Sequence, residues 1–153
     1  MRALVLGGTG YLGRDLCERW RRGHTVVAPP RSDLNLLDEA SIERHIEGMR
    51  PDVVVNCAAM ASLDACERDP ADAGALNATA VAALARLCTR FGVRLVHLST
   101  DVVFDGEREL PYFESDATGP INVYGQSKLA GERGVLGACT DALVVRTSVL
   151  MGL

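Results

Sequence analysis

Short, nearly continuous apolar runs recur along this chain, and each is closed by Gly, Pro or a polar residue. Runs of this length that are rich in Val, Leu and Ala are typical of strands buried in a parallel sheet. The predicted strands cover residues 2–6, 24–28, 52–56, 93–98 and 142–147.

Segments with apolar residues at helical spacing separate these strands. The predicted helices cover residues 11–22, 38–49, 71–91 and 123–137. Asp38 or Ser41 can cap the second helix, and Gly92 ends the third. Strands that alternate with helices predict an α/β fold. We expect one Rossmann-type domain over residues 1–153, a doubly wound parallel sheet with helices on both faces.

Two segments carry no regular pattern. Residues 31–38 are predicted to be a loop with room for one short strand. Residues 101–121 are rich in Gly, Pro and Asp, and we expect an ordered functional loop there.

The composition excludes several classes of protein. Hydrophobic residues make up 48% of the 153 residues, which supports a packed core, and the formal net charge of −4 does not favour nucleic acid. Arg, Asp and Glu interrupt every apolar stretch, so no membrane span is predicted. The five cysteines are scattered through apolar runs, and the three histidines lack ligand spacing. We therefore expect reduced thiols, a cytoplasmic location and no metal site.

The first predicted strand leads into a glycine-rich loop. Gly7, Gly10 and Gly13 form a G-x-x-G-x-x-G pattern between this strand and the first helix. Glycines there permit a tight turn and let backbone N–H groups approach a pyrophosphate, which the positive end of the helix dipole also attracts. The pattern predicts a dinucleotide site. Its loop contacts are expected from Gly7, Thr9, Gly10, Tyr11, Leu12 and Gly13.

The residues after the second strand favour one nicotinamide cofactor over the other. An acidic residue there would bind the adenosine ribose 2′-hydroxyl, but this strand is followed by two prolines and Arg31. A guanidinium suits a 2′-phosphate, so we predict NADPH, with NADH as the alternative. Small residues after the third strand leave room for the cofactor at the carboxyl edge of the sheet. Further contacts are expected from Arg31, Ser32, Asp33, Leu34, Cys57, Ala58 and Ala59.

Tyr124 and Lys128 are four positions apart on the last predicted helix, so their side chains are expected to point the same way. An ammonium near a phenol favours the phenolate and lowers its pKa. We therefore expect Lys128 to lower the pKa of Tyr124 and make it a proton donor and acceptor near neutral pH. Together with the glycine loop, the pair indicates a nicotinamide-dependent reductase, and both residues are predicted to contact the cofactor.

Several stretches together resemble the extended short-chain dehydrogenases/reductases, and most closely the dTDP-4-dehydrorhamnose reductase group. The S-T-D-x-V-F element at residues 99–104 and the N-x-Y-G-x-x-K element at residues 122–128 are quite specific for this group. The resemblance covers nearly the whole chain. It rests on residues 7–13, 50–59, 76–79, 98–106, 120–125, 127–132 and 146–148.

The resemblance implies NADPH-dependent reduction of a nucleotide-linked 4-keto sugar. Tyr124 would donate a proton to the keto oxygen while hydride passes from the nicotinamide to the carbonyl carbon, and Lys128 would hold the nicotinamide ribose. Thr100 would hydrogen-bond the same keto oxygen, and Asn77 would take the family's supporting helix position. The substrate contacts that the resemblance implies are Thr100, Asp101, Val102, Tyr124 and Val149.

Two positions depart from the family pattern. Val102 stands where the group usually has Tyr, and Val149 stands where it usually has Trp. Because both aromatics line the sugar side of the pocket in the family, their loss indicates a different sugar or carbonyl substrate. Family members also continue past the equivalent of Leu153 into a smaller domain over the substrate, so we expect this chain to lack a C-terminal substrate-binding domain.

Two other functions stay open from these residues. One is a non-catalytic, dinucleotide-binding regulatory subunit resembling the β subunit of methionine adenosyltransferase, which shares the V-F-D-G element at residues 103–106. The other is a different extended reductase or epimerase of nucleotide sugars. Relatives dimerise through the helices equivalent to residues 71–91 and 123–137, so a homodimer is also predicted.

Overall fold

The strands of this chain form one parallel sheet. The structure, a computed structural model, describes residues 1–150, so the last three residues of the predicted domain lie outside the described part. The strands are β1 (Arg2–Leu6), β2 (Thr25–Val27), β3 (Val53–Asn56), β4 (Arg94–Thr100) and β5 (Leu143–Thr147). They pair in the order β2-β1-β3-β4-β5, and every pairing is parallel. The predicted α/β fold is confirmed.

Helices cover both faces of the sheet. They are α1 (Tyr11–Trp20), α2 (Glu39–Met49), α3 (Leu63–Arg68), α4 (Pro70–Gly74), α5 (Ala80–Phe91) and α6 (Val123–Ala138). At the start of α2 the Asp38 carboxylate accepts a hydrogen bond from the Ser41 N–H at 3.2 Å, so Asp38 is the cap. Gly92 ends α5 in the left-handed region, with φ +64°, as its position predicts. Among residues 1–150, no helix is long and apolar enough to cross a bilayer.

The helical segment before β4 differs from the prediction. The helix expected over residues 71–91 begins earlier, at Pro70, and is interrupted by a π turn, Ala75–Thr79. The six-residue α3 was not predicted, because one and a half turns are too short to show a helical period. The short strand allowed for residues 31–38 does not form, and these residues run mostly through turns. A π turn adds a residue to one turn of helix and commonly marks a functional site.

Two hydrophobic clusters sandwich the sheet, which explains why the strands are apolar along their whole length. The larger cluster packs α2, α5 and α6 on one face and includes Leu4, Ile42 and Leu84. The smaller cluster packs α1 on the other face and includes Val5 and Cys17. Neighbouring residues of β1 enter opposite clusters, so burial on both faces fixes the register of the central strand.

The strand order creates a crevice at one edge of the sheet. The chain steps outward from β1 to β2, then returns to place β3 on the other side of β1. Loops that leave β1 and β3 at their carboxyl ends therefore diverge, and such a switch point is where open α/β sheets bind ligands. The glycine loop follows β1, and residues 57–62 follow β3.

Candidate cofactor and catalytic site

A groove of about 250 Å³ opens at this switch point between the ends of β1 and β3. Most of its lining was predicted from the sequence as cofactor contacts. Those predicted residues are Gly7, Thr9, Gly10, Arg31, Leu34, Cys57, Ala58 and Ala59. The sequence did not single out the rest of the lining: Leu6, Pro29, Asn35, Leu36 and Leu76.

Glycines let the two loops of the groove approach each other. Gly7 has φ +75°, and a β-carbon there would lie 2.7 Å from the Ala58 nitrogen. A β-carbon on Gly13 would lie 2.2 Å from the Gly7 carbonyl oxygen. Gly10 is the N-cap of α1 and has no side chain to accept from the first N–H groups of that helix. These donors are therefore left for an anion, and a phosphate chain fits this cradle.

The other predicted cofactor residues do not line this groove. Tyr11 and Leu12 lie in the first turn of α1, and half of the Tyr11 surface is exposed. Ser32 and Asp33 lie in the exposed turn after Arg31, where the Ser32 hydroxyl donates to the Asp33 carboxylate at 3.0 Å. This turn holds Arg31 at the rim of the groove.

Thr100 and Tyr124 come together beyond the groove, where β4 ends and α6 begins. The Thr100 hydroxyl accepts from the Val102 N–H at 3.2 Å and donates to the Asp101 carboxylate at 3.2 Å, which shapes the 3₁₀ turn Asp101–Val103. A β-carbon on Gly125 would lie 2.3 Å from the Val102 carbonyl oxygen, so α6 starts in direct contact with this turn. Tyr124 is half-buried there.

The predicted lowering of the Tyr124 pKa is wrong: this pKa is raised, and Lys128 is not among the groups that shift it. Burial raises the pKa of Tyr124, while the nearby Thr100 side chain acts to lower it. Lys128 is only 2% exposed, and its Nζ donates to the Leu98 carbonyl oxygen at 2.5 Å. Helical spacing fixes where a lysine side chain starts, but its long stem carries the amine to whichever acceptor is in reach, here on β4. Burial lowers the pKa of Lys128 to about 8.

Asn77 lies fully buried in the π turn and joins two parts of the site. Its Oδ1 accepts from the Met60 N–H at 2.8 Å, and its Nδ2 donates to the Met60 carbonyl at 2.9 Å and to the Ser127 hydroxyl at 3.0 Å. The Ser127 hydroxyl in turn donates to the Tyr124 carbonyl at 2.8 Å. Asn77 therefore ties the loop after β3 to the first turns of α6, where Tyr124 lies.

Arg146 and Glu132 form a second link that the sequence did not reveal. Arg146 donates from Nε to Oε1 of Glu132 at 2.9 Å and from Nη2 to Oε2 at 2.7 Å, and Glu132 is 2% exposed. Arg146 also donates from Nη1 to the Glu114 carbonyl at 3.3 Å and lies 5.0 Å from the centre of the Phe104 ring. The pair thus joins β5, α6 and the loop after β4. Both residues lie in the family-like stretches, but no spacing rule indicates their contact.

A larger cavity of about 920 Å³ lies between this loop and β5. Of the predicted substrate residues, Asp101 lines it, whereas Thr100, Val102 and Tyr124 do not. Val149 follows β5 and is 84% exposed. The loop is ordered by a stack of Phe104 and Tyr112, whose ring centres are 4.3 Å apart, and both rings line the cavity.

Comparison with known proteins agrees with this geometry. The chain is 42% identical over 149 residues to a dTDP-4-dehydrorhamnose reductase of Mycolicibacterium smegmatis, covering 96% of this chain and 45% of the relative. It is 43% identical over 153 residues to a dTDP-4-keto-6-deoxy-D-glucose reductase of Streptomyces niveus, covering 99% of this chain and 53% of the relative.

A solved structure shares the fold in detail. The Bacillus anthracis dTDP-4-dehydrorhamnose reductase in complex with NADP superposes with a TM-score of 0.93 at 31% identity, covering 96% of this chain and 53% of that one. The chain spans about half the length of the relatives it matches. The family model described as RmlD substrate binding domain matches residues 1–153. This chain therefore belongs to the RmlD substrate binding domain family.

Proposed function

We propose that this chain is the cofactor-binding part of an NADPH-dependent reductase of nucleotide-linked 4-keto sugars. One observation carries the proposal. The groove bordered by the glycine loop lies at the switch point, and Thr100 and Tyr124 come together at the end of β4, the strand next to β3. The names of the relatives support the substrate class, and the NADP complex of the Bacillus anthracis relative supports the cofactor.

The groove supplies the close backbone approach and the N–H donors that the phosphates of a dinucleotide need. Gly7 and Gly13 give the loop backbone the space that a side chain would fill, and the first turn of α1 supplies N–H donors for the pyrophosphate. Arg31 at the rim suits a 2′-phosphate, which favours NADPH over NADH. When bound, NADPH supplies a hydride to a carbonyl carbon.

Tyr124 is the proton donor of the proposed reaction. Because burial raises its pKa, the phenol carries its proton at neutral pH and can pass that proton to the keto oxygen as negative charge develops there. Thr100 orients the same oxygen through its hydroxyl. Lys128, with its pKa lowered to about 8, is suited to give a proton to the Tyr124 phenolate and to be reprotonated by water when its contact with β4 opens. General acid catalysis of this kind contributes about 10²–10⁴-fold to the rate.

The sugar itself is proposed to differ from that of a typical dTDP-4-dehydrorhamnose reductase. Val102 and Val149 stand where the resemblance to the family implies aromatic residues, so this chain offers less flat surface for a sugar ring. The Streptomyces niveus relative is named for a different 4-keto sugar, which supports a difference in sugar within the family.

The test is NADPH oxidation with a panel of 4-keto nucleotide sugars, using the longest reading frame that encodes this chain. Tyr124→Phe removes only the phenol oxygen, so we expect a loss of about 10²-fold or more in turnover with NADPH affinity retained. Thr140→Val is the control, because it also removes one hydroxyl and Thr140 is exposed in the turn before β5, outside the predicted site. Turnover by Tyr124→Phe at the wild-type rate would refute the mechanism. Tight NADPH binding with no oxidation of any sugar would instead support a regulatory subunit.

Cofactor preference is tested separately. Arg31→Ala should lower affinity for NADPH about tenfold or more and leave affinity for NADH nearly unchanged, because only NADPH carries the 2′-phosphate. An unchanged ratio of the two affinities, or a wild-type preference for NADH, would overturn the role of Arg31.

A homodimer through α5 and α6 also belongs to this proposal. The two helices already pack closely on each other within the chain, since a β-carbon on Gly134 would lie 2.8 Å from the Ala82 β-carbon. Dimerisation would use the exposed faces of α5 and α6, which carry Arg86 and Arg133. Light scattering that gives a monomer mass at micromolar concentration would remove the dimer from the proposal.

A further inference from the structure

Lys128 is the single lysine among the 16 basic residues of this chain, the other 15 being arginine. It is also the most buried of these lysine and arginine side chains in the described part of the chain, with 2% of its surface exposed. Arginine stays protonated in proteins, whereas a buried lysine can lose its proton. The one position where the chain uses lysine is therefore a position where the basic group can exchange a proton.

A chain of buried polar groups leads from the cofactor groove to this amine. The Ala58 N–H donates to Oδ1 of Asn56 at 3.1 Å, and Nδ2 of Asn56 lies 3.1 Å from Nδ1 of His97. Nε2 of His97 lies 3.5 Å from Nζ of Lys128. Asn56 is 1% exposed and His97 is fully buried, so water does not compete for these bonds.

The backbone fixes the proton positions along this chain of groups. An N–H of the backbone can only donate, so the Asn56 oxygen must face Ala58 and its NH₂ must face His97. Nδ1 of His97 therefore accepts. Burial, and then the nearby Lys128 charge, lower the pKa of His97 to about 3, so the ring is neutral and carries its proton on Nε2. That Nε2–H points at the amine of Lys128.

The two charge states of Lys128 meet this N–H differently. The neutral amine has a lone pair that accepts from the His97 Nε2–H while an amine hydrogen is donated to the Leu98 carbonyl. The ammonium has no lone pair and cannot accept this bond. Its hydrogens and the His97 N–H hydrogen then point at each other, which is electrostatically unfavourable. The arrangement therefore stabilises the neutral amine relative to the ammonium.

We infer that Asn56 and His97 are positioning residues that hold Lys128 as a reversible proton carrier instead of a permanent cation. Within the proposed reductase, on which this role rests, the Lys128 ammonium passes a proton to the Tyr124 phenolate that remains after transfer to the keto oxygen, and the neutral amine left behind regains a proton from water. Since the chain of groups starts at the Ala58 N–H in the wall of the cofactor groove, the state of Lys128 is linked to the backbone that borders the cofactor.

Other groups that face Lys128 act in the opposite sense. Glu132, one turn further along α6, and Cys57, after β3, both raise the pKa of Lys128, and burial outweighs them. Neither group can fix the tautomer of His97, since Glu132 is bound to Arg146 and Cys57 is outside the hydrogen-bond chain. The tautomer of His97 therefore distinguishes this inference from a simple effect of burial or of nearby charges on Lys128.

The test is NMR of the chain labelled with ¹³Cε lysine and ¹⁵N histidine, in which the single lysine gives a single side-chain titration. In the wild type we expect the Lys128 midpoint near pH 8 and His97 in the Nε2–H form, read from two-bond ¹H–¹⁵N correlations. Asn56→Asp replaces the NH₂ by an acceptor, so Nδ1 must donate and Nε2 becomes an acceptor for the ammonium. The midpoint should rise by about one pH unit or more, a tenfold change in proton affinity.

Asn56→Leu separates the tautomer from the added charge of Asn56→Asp. Leucine has a similar size and no charge, and it frees His97 to turn its lone pair towards the ammonium, so the Lys128 midpoint should rise in this variant too. A rise in the aspartate variant alone would mark a simple charge effect and overturn the inference. A wild-type His97 in the Nδ1–H form would overturn it without any variant. These spectra need neither cofactor nor sugar, so their outcome is independent of the test of the proposed reductase.

Discussion

Replacing Gly131 by alanine should disturb the site from the far side of α6. A β-carbon on Gly131 would lie 2.2 Å from the carbonyl oxygen of Asn77, about 1 Å closer than the ~3.3 Å of the tightest C–H···O contacts. The obstacle is backbone of the π turn and not the end of a flexible side chain, so α6 and the turn must move apart. Because the Asn77 side chain holds Met60 and Ser127, this movement reaches the first turns of α6.

Gly137 offers a matched control on the same helix. A β-carbon there meets nothing within 4 Å, so Gly137→Ala should gain only helix propensity, about 0.5–1 kcal/mol of stability. Overpacking in a well-packed region costs about 1–3 kcal/mol, and we expect Gly131→Ala to lose about 2 kcal/mol. One substitution should therefore destabilise the fold and the other stabilise it.

The assay is thermal and urea unfolding of the two variants beside the wild type. At this chain length 1 kcal/mol corresponds to about 2–4 °C, so Tm should fall by roughly 4–8 °C for Gly131→Ala and rise by a few degrees for Gly137→Ala. Shifts of the same sign in both variants would show that α6 does not approach the π turn as closely as described.

Three further outcomes are expected. Gly13→Ala should lower NADPH affinity about tenfold or more, whereas Gly23→Ala, whose β-carbon meets nothing within 4 Å, should leave it unchanged in a fluorescence titration. The pKa of His97 is about 3 in the folded state, below its value in the unfolded chain. As pH falls below about 6.5, the unfolded state therefore binds one more proton than the folded state, and the free energy of unfolding drops by ~1.4 kcal/mol per pH unit. Urea unfolding of His97→Gln between about pH 7 and pH 5 should lack this slope, and an unchanged slope would place the proton elsewhere. Arg146→Lys should cost about 1–3 kcal/mol because lysine cannot make both bonds to the buried carboxylate, while Arg19→Lys, in an exposed pair, should cost less than about 0.5 kcal/mol.

The parts of this molecule that the sequence predicted depend on neighbours along the chain. Continuous apolar runs gave the strands, and the spacing of Gly7, Gly10 and Gly13 gave the loop that borders the groove. Asp38 was among the caps considered because a cap and the N–H groups it binds lie within one turn. Each of these signals is set by local backbone geometry, which recurs wherever the same residues occur.

The parts that escaped prediction depend on contacts between distant residues. Asn56 and His97 are 41 positions apart, and Lys128 follows His97 by 31, so no helical or strand period links them. The π turn follows from the fit of Asn77 to Met60 and Ser127, and hydrophobic spacing alone predicts an uninterrupted helix there. The pKa of Tyr124 was misjudged because burial, which raises it, depends on the packed fold, whereas the sequence indicated only a nearby lysine.

Because the single lysine is buried, its chemical modification can measure local opening of the fold around it. An acylating reagent finds no other lysine side chain, and Lys128 is closed off between α6 and β4. Its rate of modification therefore measures how often this contact opens. An opening free energy of about 4 kcal/mol would slow the reaction roughly a thousandfold relative to the unfolded chain. Ligands that hold α6 against the sheet would slow it further, so labelling of Lys128, read separately from the Met1 α-amine by peptide mass, reports their binding at the helix that carries Tyr124.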